Sequence, residues 1–481
     1  MRVFLSFILN YEEVPMGLFQ KKTKVQTPHR RPGDAGVGEA LKKGNVLTRL
    51  SLLIFGLGNI VNKQFVRGFA FLALEIAYIY YMVSFGAQAL VNMTTLGTVE
   101  QTKVYNEALG IYEYAAGDNS MLFLLYGVIT IVLTLAAAFA ACMSMKSAYC
   151  TQVRKEKGMH IPGFKDDLIS IREENMHVAM LTFPILGVLI FTIIPLVFMI
   201  LIAFTSSDHE HQPPGNLFTW VGLDNFKAML GQGSKLAATF WPVLQWTLIW
   251  AVFATFSCFF LGMLLALLIN RKGTRCKGFW RFMFVLSIAI PQFVSLLSMR
   301  TIFNANGPVN VILRHLGIIG MTESVPFFTD PTLAKITIIL INIWIGVPYT
   351  MLSTTGILQN IPGELYEAAR IDGATAPVIF RKITLPYMLF VMTPNLITSF
   401  TGNINNFNVI FLLSGGGPDT MEYYYAGRTD LLVTWLYRLT ITQKDYNLGA
   451  VIGILVFIIL ATLSLLTYRR TGSYKDEGAF Q

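Results

Sequence analysis

Charge is scarce in this chain. Of its 481 residues only 14% are Asp, Glu, Lys or Arg, well below the roughly 25% of a soluble domain. Cysteine is scarcer still. Cys142, Cys150, Cys258 and Cys276 form no CxxC pair, which argues against a disulfide framework or a zinc site. No G-x-x-x-x-G-K-[ST] occurs, and Gly56-Leu57-Gly58 is too little for a phosphate loop. The chain therefore binds no ATP through a P-loop of its own. Solenoid repeats and low-complexity tracts are missing. So are the alternating segments of about 10 residues that an outer-membrane barrel needs.

What is abundant is apolar sequence, 54% of the chain, with runs that reach the roughly 20 residues needed to cross a bilayer. Eight spans are read near 66–88, 121–145, 179–204, 242–270, 281–303, 335–359, 387–413 and 447–468. The chain reads as an all-α polytopic membrane protein. Leu47–Asn62, broken by Gly56 and Gly58, reads as a short interfacial or re-entrant helix. Met1–Asn10 is apolar but short, with Glu12 and Glu13 following and no cleavage site, so no signal peptide is expected. Met16-Gly17-Leu18-Phe19 offers a second possible start.

The net charge of +9 would suggest nucleic acid in a soluble protein. Here it reports topology. With both termini taken as cytoplasmic, 27 Lys and Arg fall on inner segments and 9 on outer ones, and Arg67 at a boundary completes the 37. That bias is the positive-inside pattern. The inner loop 146–178 holds a candidate surface helix. His209 and His211, in the outer loop 205–240, are either a metal pair or part of a solvated loop. Glu75, alone at membrane depth, is either functional or a carboxyl paired with Tyr78 or Tyr80.

One inner loop, 360–386, is a polar island between two spans. Asn360 can cap a first helix opened by Pro362. Leu365, Ala368 and Ala369 share a face of that helix, and Gly373 ends it in the left-handed conformation. Thr375 and Pro377 open a second helix, with Val378, Ile379 and Ile383 as its apolar positions. Leu385-Pro386 is expected to turn the chain into span seven. Physics alone leaves two readings, an ordinary connector or a knob for a partner's groove.

Span seven carries no charge but an unusual amide content. Asn395, Ser399, Gly402, Asn403 and Asn406 form one helical stripe, with Asn405 and Asn408 off it. The stripe is either glue between helices or the wall of a pathway for a neutral, hydroxyl-rich solute, because amides both donate and accept. Trp344 and Tyr349 in span six offer aromatic surface.

The spacing E-A-A-x3-G-x9-I-x-L-P is met at Glu367, Ala368, Ala369, Gly373, Ile383, Leu385 and Pro386. It resembles the signature loop of ABC importer permeases. Residues 179–468 are similar to the maltose-type permeases of carbohydrate ABC importers. The matching words are Trp220-Val221-Gly222-Leu223, Asn225-Phe226, Asn342-Ile343-Trp344-Ile345-Gly346-Val347-Pro348-Tyr349, Gly415-Gly416-Gly417-Pro418-Asp419 and Thr429-Asp430-Leu431-Leu432. The resemblance implies a type I importer core of six helices over 179–468. Around it would lie a cytoplasmic region over 1–65, two peripheral spans over 66–178 and a tail over 469–481.

In that family the 360–386 loop docks on a cytoplasmic ATPase. Glu367, Asp372 and Gly373 would then belong to the knob. The pocket positions of the family fall on Ile345, Gly346, Tyr349, Ser399, Gly402, Asn403 and Asn406. Gly402 stands where the family has an aromatic, and Ile288 where it has a tyrosine, which removes stacking surface. The short outer loop 89–120 leaves no room for the external domain of some members.

The partners implied are a second homologous permease, an ABC ATPase dimer, an extracellular solute-binding protein, an oligosaccharide and membrane lipid, without nucleic acid. The chain itself would hold no cofactor, ATP and Mg being used by the ATPase, and would not be an enzyme. Its place would be the bacterial plasma (inner) membrane. The rivals are a permease for a galacto-oligosaccharide, polyol or glycerol phosphodiester, a secondary transporter, and an integral-membrane enzyme.

Overall fold

The computed structural model describes residues 36–469 apart from 108, 109, 174 and 272. The two candidate starts and residues 470–481 of the tail lie outside the described residues. Contacts divide the chain into two units, 1–220 and 221–481.

The first unit begins with short helices α1 (Val37–Lys43), α2 (Val46–Leu50) and α3 (Leu57–Val61). The long helices α4 (Phe65–Thr95), α5 (Ser120–Glu156) and α7 (Met176–Ile202) follow. A surface helix, α6 (Phe164–Arg172), precedes the last of these. The single helix expected over 47–62 is instead two, because Gly56 adopts φ +80 between them, a conformation glycine reaches without penalty. Polar side chains dock this pair on α5. Ser144 Oγ accepts from the Gly56 N–H at 2.7 Å, and Thr48 Oγ1 donates to Gln152 Oε1 at 2.8 Å.

Glu75 takes neither tyrosine expected for it. Its Oε2 accepts the Phe55 N–H at 2.8 Å, while Tyr78 pairs with Thr134. The loop between α4 and α5 carries an antiparallel hairpin of β1 (Lys103–Asn106) and β2 (Ile111–Tyr114), so the fold is not purely helical. His211 Nδ1 lies 2.8 Å from Asp208 Oδ1.

The second unit opens with α8 (Asp224–Leu230) and α9 (Lys235–Asn270). Ser234 caps α9 by accepting the Ala237 N–H. Span five is not one helix. It is α10 (Lys277–Ala289) and α11 (Gln292–Ile302), set at 89°. Pro291 explains the bend, since it forces Ile290 into extended backbone (ψ 125). After the short α12 (Pro308–His315) comes α13 (Pro331–Gln359), with Asp330 accepting from the N–H groups of Thr332 and Leu333. The loop helix α14 (Gly363–Ile371) follows, then α15 (Ala376–Ile404) and α16 (Phe407–Leu413). The unit ends with α17 (Leu432–Tyr437) and α18 (Tyr446–Arg469). Seven described helices are long and apolar enough to span a membrane, or eight if the bent pair is one span.

A buried cluster joins α9, α11, α13 and α16 through Trp250, Leu296, Ile338, Ile341 and Val409. Beside it, the glycine-rich segment after α16 folds into a clamp. Asp430, 1% exposed, accepts the Gly427 N–H at 2.7 Å and faces Arg438 Nε at 3.3 Å. Arg438 also donates to Asp419 Oδ1 at 2.7 Å and to the Gly415 carbonyl at 2.5 Å. Gly416, at φ +86, leaves no room for a side chain, because a Cβ there would lie 2.0 Å from Asp430 Oδ1. The clamp hangs on α9 through Trp246 Nε1, which donates to the Thr429 carbonyl at 3.1 Å.

Burial pushes the Asp430 carboxyl up to about 6, against the pull of Arg438. An acid raised in this way weakens the fold once pH exceeds its unfolded value, because its charged form is held out of water. Removing Arg438 strands that charge. Arg438→Met is expected to cost about 3 kcal/mol at neutral pH. Without Arg438 the carboxyl takes up its proton at a higher pH than in the wild type, so the loss should shrink as pH falls toward 6 and level off below it. Thermal unfolding of both proteins in detergent from pH 7.5 to 5 checks this. A deficit that does not depend on pH would show that Asp430 is not the group left unpaired.

Candidate coupling loop and membrane pocket

The 360–386 loop is built as two helices around a glycine bend, with two corrections. Asn360 ends α13 and does not cap α14, whose N-cap is Pro362. Gly373 adopts φ +76, the left-handed turn expected of it. Glu367, Ala368, Asp372 and Gly373 are exposed and Ala369 is half-buried. Leu365 and Ile371 are exposed as well, Ile371 by 85%. The face that carries the signature residues is therefore uncovered by this chain.

The second correction concerns Leu385-Pro386. The chain does not turn there. A π-helical turn, Phe380–Thr384, carries α15 straight through, so one helix runs from Ala376 to Ile404. Pro386 has no N–H for the Lys382 carbonyl, and the widened turn before it absorbs that loss. Ile383, Leu385 and Pro386 thus lie inside the helix that bears the polar stripe. Tyr366 on α14 meets Thr384 Oγ1 at 3.1 Å, which fastens the knob to the root of that helix. From Ala376 to Ser399 the helix rises about 35 Å.

The stripe is cut at its far end. α15 stops at Ile404, and Asn406 opens α16 by accepting the Val409 N–H on its side-chain oxygen at 3.2 Å. Asparagine suits that capping role. Three other side chains engage Asn403. Its Nδ2 donates to Thr255 Oγ1 at 3.0 Å, its Oδ1 accepts from Asn406 Nδ2 at 3.3 Å, and its carbonyl accepts from Trp250 Nε1 at 3.0 Å. These two amides therefore do the work of helix glue. Asn395, Ser399 and Gly402 face outward, and a Cβ added at Gly402 would meet nothing within 4 Å.

On α13, Tyr349 is 47% exposed, while Ile345 packs against the core cluster. Gly346 lies so close to α9 that a Cβ would sit 2.6 Å from Cys258 Sγ. Both halves of the expected pocket thus lean on α9 within one turn, at Thr255 and Cys258. Sequence reading gave α9 no part in the pocket. The signal was there, in the small residues Ala251, Ala254, Thr255, Cys258, Gly262 and Ala266 at helical spacing, all buried.

A family model described as "Binding-protein-dependent transport system inner membrane component" matches residues 258–471. The maltodextrin transport system permease protein MalC of Streptococcus pneumoniae is 34% identical over 433 residues, 88% of this chain and 95% of that protein. The galactooligosaccharides transport system permease protein GanP of Bacillus subtilis is 34% identical over 428 residues, 88% and 97% of the two chains. The chain belongs to this family of inner-membrane transport components. MalF of Klebsiella aerogenes, a maltose/maltodextrin permease, is 36% identical over 268 residues, 55% of this chain and 51% of that one. A solved chain from a bacterial ABC transporter that imports alginate superposes with a TM-score of 0.52 at 24% identity. It covers 63% of this chain and 96% of that one, and the likeness speaks to the fold alone.

This multi-pass permease therefore carries its family match over the last third of α9 and all of α10–α18, where the signature loop and the stripe lie. Gly346→Ala should destabilise the permease because of Cys258. Adding Cys258→Ala should recover about 1 kcal/mol as a coupling between contacting sites. Gly402→Ala, with open space around it, should be neutral or stabilising by up to about 1 kcal/mol. Thermal unfolding of the four proteins tests the placement of α13 on α9. Additive effects of the Gly346 and Cys258 changes would refute it.

Proposed function

We propose that the chain is the membrane-spanning subunit of an ATP-driven importer that passes an oligosaccharide of the maltodextrin type. The observation that carries this reading is the signature loop itself. Four of its seven fixed positions, Glu367, Ala368, Ala369 and Gly373, sit on a knob whose outer face this chain leaves uncovered, and the other three lie in the helix that bears the polar stripe. The relatives named for maltodextrin and maltose permeases support the substrate class. GanP supports galacto-oligosaccharide as the second reading.

The proposed division of labour follows from the side chains. Glu367, Ala368, Ala369, Asp372 and Gly373 enter a cleft of a separate cytoplasmic ATPase. That ATPase binds ATP and Mg and works as a dimer. Ile383, Leu385 and Pro386 carry the displacement into α15. Ser399, Gly402 and Tyr349 face the sugar, while Ile345, Gly346, Asn403 and Asn406 hold the wall that these groups stand on. This chain breaks no bond. It contributes contacts that differ between two states. A second, homologous permease completes the cavity and an extracellular solute-binding protein delivers the sugar. The Lys and Arg count supports a cytoplasmic position for both termini.

Glu367 is exposed, so reversing its charge costs the fold little. Glu367→Arg is expected to abolish sugar-stimulated ATP hydrolysis by the assembled complex, at unchanged amounts of protein in the membrane. Tyr349→Ala should instead weaken maltodextrin uptake by about tenfold, the worth of one stacking contact of about 1.4 kcal/mol, and spare assembly. Full coupling in Glu367→Arg sinks the knob assignment. Unchanged uptake in Tyr349→Ala, for both maltodextrin and galacto-oligosaccharide, sinks the pocket.

A further inference from the structure

A cavity of about 530 Å³ lies between α9 and α13 at the end of the unit away from the coupling loop, and a second of about 300 Å³ adjoins it. Both are lined by Trp246, Lys335 and Arg428. The volume is in the range of about 300–1,000 Å³ usual for a bound small molecule. The function proposed above makes no use of this site.

Its chemistry is graded along the helices. Lys335 lies about one turn inside α13, near the helix start at Pro331. Phe253, Ile336 and Leu340 continue the wall toward the middle of the span, and Leu340 is 60% exposed. One end is cationic and the other apolar.

The charges can be accounted for one by one. Arg428 Nη2 reaches Glu422 Oε2 at 2.5 Å, and its guanidinium stands 4.6 Å from the Tyr423 ring. Asp430 at the floor is already held by Arg438. Lys335 has only the face of Trp246, at 4.8 Å. Among the described residues no carboxylate pairs with it. Among the described residues that line the site, Lys335 is therefore the cation without a carboxylate partner. An unpaired cation at the edge of a hydrocarbon layer is costly, and the ring face returns only part of that cost.

We propose that this groove binds one anionic phospholipid, with its phosphodiester on Lys335 and Arg428 and an acyl chain along Phe253, Ile336 and Leu340. The unpartnered ammonium of Lys335 matches the single negative charge of phosphatidylglycerol. The polar-to-apolar gradient matches a lipid and not a free solute. The leaflet is the one in which α13 begins.

The test uses the full chain purified in detergent, incubated with phosphatidylglycerol or with phosphatidylcholine of the same acyl chains, and read by native mass spectrometry. Wild type is expected to retain the anionic lipid about fivefold better, the worth of one basic residue at a membrane surface. Lys335→Gln should erase that preference and Lys335→Arg should keep it, which separates loss of charge from loss of fold. Leu340→Trp, a change at an exposed position that fills the apolar end, should lower retention of both lipids. Equal retention of the two lipids by wild type, or an unchanged preference in Lys335→Gln, overturns the proposal. So does thermal stabilisation by glycerol 1-phosphate equal to that by the lipid, since a soluble anion would then account for the site.

Discussion

An amide in hydrocarbon must find a partner, and the hydrogen bond from Asn403 to Thr255 is where this constraint shapes the second unit. Where hydrocarbon surrounds the helix, water cannot serve as the alternative partner, so an asparagine on that face left unpaired would be costly. The bond sets α15 against α9. Trp250 donates to the carbonyl of the same Asn403, which fixes the helix in height as well as in rotation. Three residues further along α9, Cys258 meets Gly346 of α13. Two neighbouring positions on one helix thus bring α13 and α15 to the same depth. A pocket made from both thereby has its walls held in register by α9.

That arrangement also distributes stiffness. α9 and α13 interlock without slack. A Cβ at Gly262 would lie 2.6 Å from Thr350, just as one at Gly346 would meet Cys258. Sliding either helix would force backbone into side chains, so the two behave as one body. α15 is held differently, by hydrogen bonds near its far end and by methionines 388 and 392 against Phe259 and Met263 near the loop. Methionine packs without a fixed shape. A helix seated on methionine and hinged at a capped break beyond Ile404 can rock where α13 cannot. On the proposed function, it is also the helix continuous with the knob.

Much of this was legible in the sequence. Apolar runs of sufficient length gave the number of spans and the loop spacing gave the two-helix knob, because both depend on local composition and on glycine and proline. Gly373 is a clear case, since few other residues reach φ +76 without strain. The errors lay where one local signal had two physical outcomes. Pro291 and Pro386 are both prolines in apolar runs, yet one bends the chain by 89° and the other is absorbed by a π-helical turn. Which happens depends on the packing around the helix, and that packing is not local. Asn406 looked like one more member of a stripe. Only the end of α15 two residues earlier makes it a cap.

The part of the site that sequence reading missed is instructive for the same reason. Thr255, Cys258 and Gly262 carry no charge and no motif, and a run of small residues on a helix describes many interfaces. They acquire meaning only when Asn403 and Gly346 are placed against them. A polar stripe on one helix implies a complementary surface on another, because its amides must be satisfied and its glycines must be approached closely. The stripe thus predicts that a small-residue face exists. Locating that face on α9 takes the contact itself. Among the described residues of the second unit, the exposed remainder of the stripe, Asn395, Ser399 and Gly402, lacks any such counterpart. By the same rule those groups must be met from outside it, by a partner helix, by water or by the hydroxyls of a passing sugar.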